Sequence, residues 1–338
     1  MKFRDRQRTH FAPAPPNLKA PERDFGSRSM FPFKRLLAGS LLLCSTAGWA
    51  QSFSLPIWKE EAEALGYVLP KPFGFNVSYM NLEQGIAVDS IGFEGLVAKI
   101  PDFTIPTFPG LPGITIPGFD MPIPRDLIDI QAEPGRQKSE VLSLRGDVWL
   151  FPFLNVYGMV GKLKGYSETR VTVGVKGIDK RSDPIDFKLD LDGDLYGGGI
   201  VLAGGYGNWF GLVDASYTKT NLTVIDGAID AYVVSPRIGY DFHTRGFPMR
   251  LWAGAMYQDV EQSLSGSLSS LDLPAGLSGL LGAVNKDGKG RFNVEQRLTT
   301  AWNPIVGMQY QISPNLYLLG EAGFGERTSV FFSIDMRY

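Results

Sequence analysis

The stretch that decides the fold is the last ten residues, Ser329-Val330-Phe331-Phe332-Ser333-Ile334-Asp335-Met336-Arg337-Tyr338. In steps of two back from the end, Tyr338, Met336, Ile334, Phe332 and Val330 are all apolar or aromatic. Between them stand Arg337, Asp335, Ser333, Phe331 and Ser329, which are mostly polar. A period of two puts alternate side chains on opposite faces of a β-strand, here one apolar face and one polar face. The strand stops on an aromatic residue with no polar tail after it.

The alternation repeats upstream. Phe75, Val77 and Tyr79 alternate with Asn76, Ser78 and Met80, and Leu142, Leu144, Val148 and Leu150 with Ser143, Arg145, Asp147 and Trp149. Trp209 to Tyr217, Tyr232 to Phe242 and Met249 to Tyr257 show the same period, as do runs near 157–164, 195–206, 302–310 and 316–323. Ten strands result; the first strand and the one interrupted by Pro304 are the weakest, which keeps eight or twelve open. Short turns fall near 152–155, 207–208, 243–247 and 313–315, and longer connections near 99–138, 173–193, 222–230 and 261–292. No run of about 20 apolar residues follows the N-terminal region, so the sequence holds no ordinary transmembrane helix.

The closing strand and the alternation of short and long turns resemble Gram-negative outer-membrane β-barrel proteins. The resemblance covers the architecture of most of the chain and singles out no functional family within that class. It implies an all-β fold, a transmembrane antiparallel β-barrel of about ten strands in the cell outer membrane, with short turns and both termini periplasmic. It implies contact with outer-membrane lipid and lipopolysaccharide, and a final strand read by the barrel-assembly machinery. Tyr157, Tyr206, Trp209, Tyr240, Phe242, Tyr310 and Tyr338 then form an interfacial girdle near the short-turn side. A soluble β-sandwich would also use hairpins and would match the composition, but would need no such rings.

An export signal separates the two. Lys34-Arg35 precede the apolar run Leu36 to Leu43, and small residues lead to Ala50-Gln51, a cleavage site after Ala50. Met30 makes an ordinary start just before it, so residues 1–29 are either an over-called extension or a long basic leader. The single cysteine, Cys44, follows Leu42-Leu43 rather than the small residues of a lipoprotein signal, and cleavage leaves a chain without thiols. Nine of the 33 Lys and Arg and three of the 35 Asp and Glu precede Gln51, so the processed chain keeps 24 basic and 32 acidic residues, a net charge of −8. That balance argues against nucleic acid as a partner. The domain reading is residues 1–50 as extension and signal, 51–73 as a periplasmic lead-in with two helical turns over Trp58–Leu65, and 74–338 as the barrel.

With the apolar faces toward lipid, the lumen receives the polar ones: Arg145, Asp147, Lys162, Asp214, Arg237, Asp241, Arg250 and Glu321, with Lys164, Asp335 and Arg337 beside them. These charges either pair and fill the ring or line a polar path for a small solute, in which case Arg145, Lys162 and Arg237 would set selectivity. Surface phospholipase, lipid A acyltransferase and deacylase, and omptin proteases share this architecture and rely on a histidine. Here His10 precedes the signal and His243 sits in a short turn, so the chain is expected to be no enzyme, with no catalytic residues. Asp190, Asp192 and Asp194 lack the spacing and the terminal Glu of a calcium loop; no metal or cofactor is expected.

Residues 99–135 are different material, with prolines at 101, 106, 109, 112, 117, 122, 124 and 134 among apolar residues. Proline removes backbone donors, so this insert is no central strand. It is a plug folded over or into the barrel, an apolar patch for lipopolysaccharide or a partner, or an ordered loop. The function expected is porin-like passage of a small solute; the alternative is a non-conducting surface or structural barrel whose loops bind a partner or lipopolysaccharide. The sequence leaves the oligomeric state open.

Overall fold

A computed structural model describes residues 55–105, 114–177, 179, 181–270, 282 and 284–338. Residues 1–54, with His10, Cys44 and the expected export signal, lie outside the described residues, as do 106–113 of the insert and 271–281 of the last long connection. Helix α1 (Lys59–Ala64) comes first, then β1 (Phe73–Glu94), β2 (Val97–Ile100), β3 (Phe103–Ile105), β4 (Ile114–Ile116), β5 (Phe119–Pro122), β6 (Ile128–Ala132), β7 (Gly135–Phe151) and β8 (Leu154–Val175). There follow β9 (Ile185–Tyr206), β10 (Trp209–Leu222), β11 (Asp226–Asp241), β12 (Met249–Ser267), β13 (Arg291–Leu298), β14 (Trp302–Ser313), β15 (Leu316–Gly323) and β16 (Arg327–Arg337).

Ten of these make a closed antiparallel ring in the order β1-β7-β8-β9-β10-β11-β12-β14-β15-β16 and back to β1. The closing ladder runs from Gly74↔Arg337 to Gln84↔Arg327, so the C-terminal strand is the one that seals the ring. Closure leaves the wall without the free edge that a bilayer would not tolerate.

The strands are longer than their alternating segments in the sequence, and the pattern inverts partway along them. On β8 the odd residues face inward throughout, from the buried Asn155 and Tyr157 to Leu163, Ser167 and Val171. The outward even residues change from Leu154, Val156 and Val160 to Lys162, Lys164, Glu168 and Arg170. On β9 the outward face changes from Tyr206, Leu202, Ile200 and Tyr196 to Asp194, Asp192, Asp190 and Lys188. The same switch falls between Leu142 and Glu140 on β7 and between Tyr257 and Asp259 on β12. From Tyr196 to Tyr206 the outward apolar face spans roughly 33 Å of strand and, at a tilt of about 40°, about 25 Å of height, the thickness of a membrane-spanning band. Its upper rim carries Tyr196, the Tyr217–Tyr232 pair (4.8 Å between ring centroids) and the Tyr257–Trp302 pair (5.3 Å). Its lower rim carries Tyr206, Trp209, Tyr240, Phe242 and Tyr310. The expected single girdle is therefore two, and Tyr157 belongs to neither: its odd parity turns it inward, where it is buried.

Above the band the wall is polar outside and apolar inside, like a soluble barrel. Phe93, Leu96, Leu163, Phe187, Leu189, Leu191, Leu264, Phe292 and Val294 form one packed core there. The cause is a change in strand number. Beyond Gln84, β13 replaces β14, β15 and β16 between β12 and β1, pairing Ser267 to Glu261 on one side and Glu94 to Ile86 on the other. Beyond Gly135, β6 continues the line of β7 against β8. Eight strands thus form the long-loop half where ten form the other half. An eight-strand ring is just wide enough for its own side chains to fill, and ten strands leave space.

Two stretches expected as long polar loops are partly wall. Residues 185–193 belong to β9, and their acidic residues are simply the solvent face of a strand whose other face is core. At the two ends of 261–292, residues 261–267 and 291–292 likewise pair, as parts of β12 and β13. The insert is a small ladder of β2 with β5 and β3 with β4. Its base packs on the core through Ile123, Ile128 and Ile130, while Phe103, Ile105, Phe119 and Met121 stay exposed. Among the described residues it does not enter the ring, because its prolines limit it to two short ladders and leave β6 alone to join the wall.

Candidate functional site: the lumen

At the level of the apolar band the inward faces are polar, and their charges gather into three groups. In the first, the Arg145 guanidinium lies 3.6 Å from the Tyr157 ring centre, between Asp214 (3.7 Å) and Asp147 (3.9 Å). Tyr157 Oη donates to Asp214 Oδ1 at 2.7 Å, and Asn155 Nδ2 donates to Asp147 Oδ1 at 2.6 Å. Arg337 closes this group by pairing with Asp147 at 3.2 Å and with Asp335 at 3.1 Å. In the second, Arg237 grips Glu321 with two bonds, Nε to Oε2 at 2.7 Å and Nη2 to Oε1 at 3.0 Å. Trp252 Nε1 donates to the same Oε2 at 2.8 Å. The third lies at the short-turn end. Arg250 pairs with Asp241 at 2.7 Å, and His243 bridges Asp241 Oδ1 (2.5 Å) and Gln311 Oε1 (2.7 Å).

Glycines seat the aromatic members of these groups. A Cβ on Gly199 would stand 2.6 Å from the Tyr157 hydroxyl, and one on Gly307 would stand 2.4 Å from the Trp252 ring. Above the charges, a layer of glutamines crosses the ring: Gln296 Nε2 donates to Gln262 Oε1, and Gln262 Nε2 to Gln137 Oε1, each at 2.7 Å. The apolar core begins immediately beyond, with Ile86, Leu191 and Leu264 all 0% exposed.

These walls enclose a cavity of about 1430 Å³. It runs from the short-turn end, where Asn208, Thr244 and residues of 58–70 line it, and among the described residues it ends at Leu82, Gln84, Gln137 and Val260. The lead-in is tied to β7 at both ends, by Ile57 N–H to Leu150 O and by Trp149 N–H to Pro72 O, each at 2.8 Å. Trp58 packs on Phe151 with centroids 5.0 Å apart, while Leu65 and Val68 stand exposed at the mouth.

Of the residues singled out by alternation, Arg145, Asp147, Asp214, Arg237, Asp241, Arg250 and Glu321 stand on inward faces and take part in these groups. Lys162 is a correction. It faces outward, with its side chain 73% exposed and paired to Asp194 on the outer surface at 2.7 Å. The inward parity of β8 is odd throughout, and Lys162 is the first polar residue above the apolar band, not a lumen residue. The alternation rule fails there because it assumes that the apolar face always meets lipid. Tyr157 is assigned to the girdle in the sequence reading, and Asn155, Trp252 and the glutamine layer are not among its lumen candidates; strand parity carried through from Asp147 or Arg237 places them all inside. Asp190, Asp192 and Asp194 lie on the outer face, and no cluster able to hold a metal occurs among the described residues.

No protein-family model matches the chain, and no curated protein matches it. Among solved structures it is similar to the outer membrane protein OprG from Pseudomonas aeruginosa, at 9% identity and a TM-score of 0.37 over 80% of this chain and 98% of that one. It is similar to an outer membrane channel from Pseudomonas putida F1, at 9% identity and a TM-score of 0.34 over 80% and 96%. The toluene transporter TodX from Pseudomonas putida follows at 9% identity and a TM-score of 0.27 over 79% and 88%. With TM-scores below 0.5, none of these likenesses assigns a solute to this chain.

Proposed function

We propose that the chain is a porin-like barrel of the outer membrane that admits a small solute to its lumen from the periplasmic end and is shut at the outer end by the apolar core. The observation that carries this reading is the cavity of about 1430 Å³ within a wall of paired charges. A barrel serving only as a scaffold loses dispersion contacts by leaving its interior unfilled. The lining mixes Met80, Leu82, Leu212 and Phe331 with Ser78, Ser216 and Arg145. Because the charges are paired, that surface suits a small solute with both polar and apolar parts better than a free ion.

The second reading, a non-conducting surface barrel, draws its support from the outer half, where the core residues pack against one another. Single-channel conductance of the refolded processed chain in a planar bilayer separates the two, with a Leu264→Ala/Phe292→Ala variant beside it. The gated reading expects a silent parent and discrete steps from the variant. Silence from both, with folding confirmed by heat-modifiable gel migration, supports the surface barrel.

A further inference from the structure

We infer that the outside of the wall holds one phospholipid of the periplasmic leaflet, with an acyl chain seated in a recess over β9 to β12 and its phosphate on Arg245. The inference does not depend on passage through the lumen; it rests on the short-turn end facing the periplasm. A recess of about 640 Å³ lies on the wall close to the lower rim of the apolar band. Gly204, Gly211, Ala253 and Ala255 line its floor, and Leu202 and Ile238 border it. Gly204, Gly211, Ile238 and Ala253 are direct partners across three successive ladders, so they share one face, and Ile238 is 62% exposed on it. That face is the one turned to lipid. The protein leaves the recess unfilled: a Cβ on Gly204 would meet nothing within 4 Å, and one on Gly211 would meet only the Arg237 carbonyl, at 3.8 Å. An empty recess forfeits dispersion contacts, and a hydrocarbon chain at this depth supplies them.

The turn below the recess supplies the charge. Of the short turns 152–155, 207–208, 243–247 and 313–315, only 243–247 contains an arginine or lysine. It joins β11 to β12, the strands that carry Ile238 and Ala253. From Met249 at the start of β12 up to Ala253 is about 13 Å of strand, within the span of a single lipid. Arg245 is exposed and makes no ion pair among the described residues. Its guanidinium stands 5.1 Å from the centre of the Tyr240 ring. That ring is held in turn by Trp209 at 5.3 Å, by Phe242 at 4.8 Å and by Asn208 Nδ2, which donates to its hydroxyl at 2.9 Å. The aromatic cluster sets the cation at the level of the lipid headgroups. A guanidinium meets a phosphate with two parallel charge-assisted hydrogen bonds.

The test is titration of the purified chain in an uncharged detergent with dipalmitoylphosphatidylglycerol and with dipalmitoylglycerol, which share their chains and differ in the phosphate headgroup. Native mass spectrometry reads the number bound. One phospholipid per chain is expected, held at least about tenfold more tightly than the diacylglycerol, the worth of one charge-assisted hydrogen bond. Arg245→Gln should remove that preference. Gly211→Leu and Ala253→Leu each fill the recess from its open side and should weaken phospholipid binding at least about tenfold while heat-modifiable folding is kept. Inorganic phosphate alone should not displace the lipid. Equal binding of the two lipids, a preference that survives Arg245→Gln, displacement by inorganic phosphate, or unchanged binding in either folded recess variant overturns the inference.

Discussion

The Arg237–Glu321 pair offers a quantitative test of how the lumen is held. Its two bonds of 2.7 and 3.0 Å are charge-assisted, and the side chains are only 16% and 6% exposed. Arg237→Met leaves the Glu321 carboxylate buried with the Trp252 N–H as its remaining partner; Glu321→Met leaves the guanidinium without its counter-charge. Breaking a buried pair from one side costs about 3–5 kcal/mol. Removing both charges together leaves mainly the unpaired Trp252 N–H, about 1–3 kcal/mol. The double variant should therefore be more stable than either single one, with a coupling energy of roughly 3 kcal/mol or more. Urea unfolding of the barrel in lipid vesicles, followed by tryptophan fluorescence, measures all three. Single costs that add to within about 0.5 kcal/mol in the double variant would refute the pairing.

Other outcomes follow from the same geometry. Gly199→Val drives a side chain into the Tyr157 hydroxyl and the Ala215 carbonyl, so it should cost roughly 1–3 kcal/mol in the same unfolding assay; an unchanged midpoint would mean that Tyr157 is not seated there. Deleting residues 97–122 should leave heat-modifiable folding and the conductance of the core-opened variant unchanged, since none of its described residues lines the cavity; larger conductance steps would restore the plug. Arg145→Ala should alter the charge preference of the opened variant while Lys162→Ala leaves it unchanged; an equal effect of both would place Lys162 in the path.

The ring and its strand count could be read from period-two runs and turn signals, because the membrane-level half of every strand shows lipid its apolar face. The outer half obeys the opposite rule, and there the alternation points the wrong way. Asp186, Lys188, Asp190 and Asp192 read as loop because their apolar partners Phe187, Leu189 and Leu191 were not recognised as the inside of the same strand. Lys162 was misplaced at the inversion for the same reason. The step from ten strands to eight has no local signal: β13 pairs Arg291 to Leu298 with residues about 30 positions before it on β12 and about 200 before it on β1. The void in one half and the packed core in the other follow from that non-local substitution.

The proposed lumen, open toward one side of the membrane and sealed toward the other, makes a distinct prediction for thiol accessibility. The only cysteine is Cys44, so single replacements report alone in a chain that starts at Gln51. Ser216→Cys sits on the cavity wall and Lys162→Cys on the outer surface just above the apolar band. A membrane-impermeant maleimide should label Lys162→Cys in intact cells and reach Ser216→Cys only after the periplasm is opened. Equal labelling of Ser216→Cys in intact cells would contradict the account.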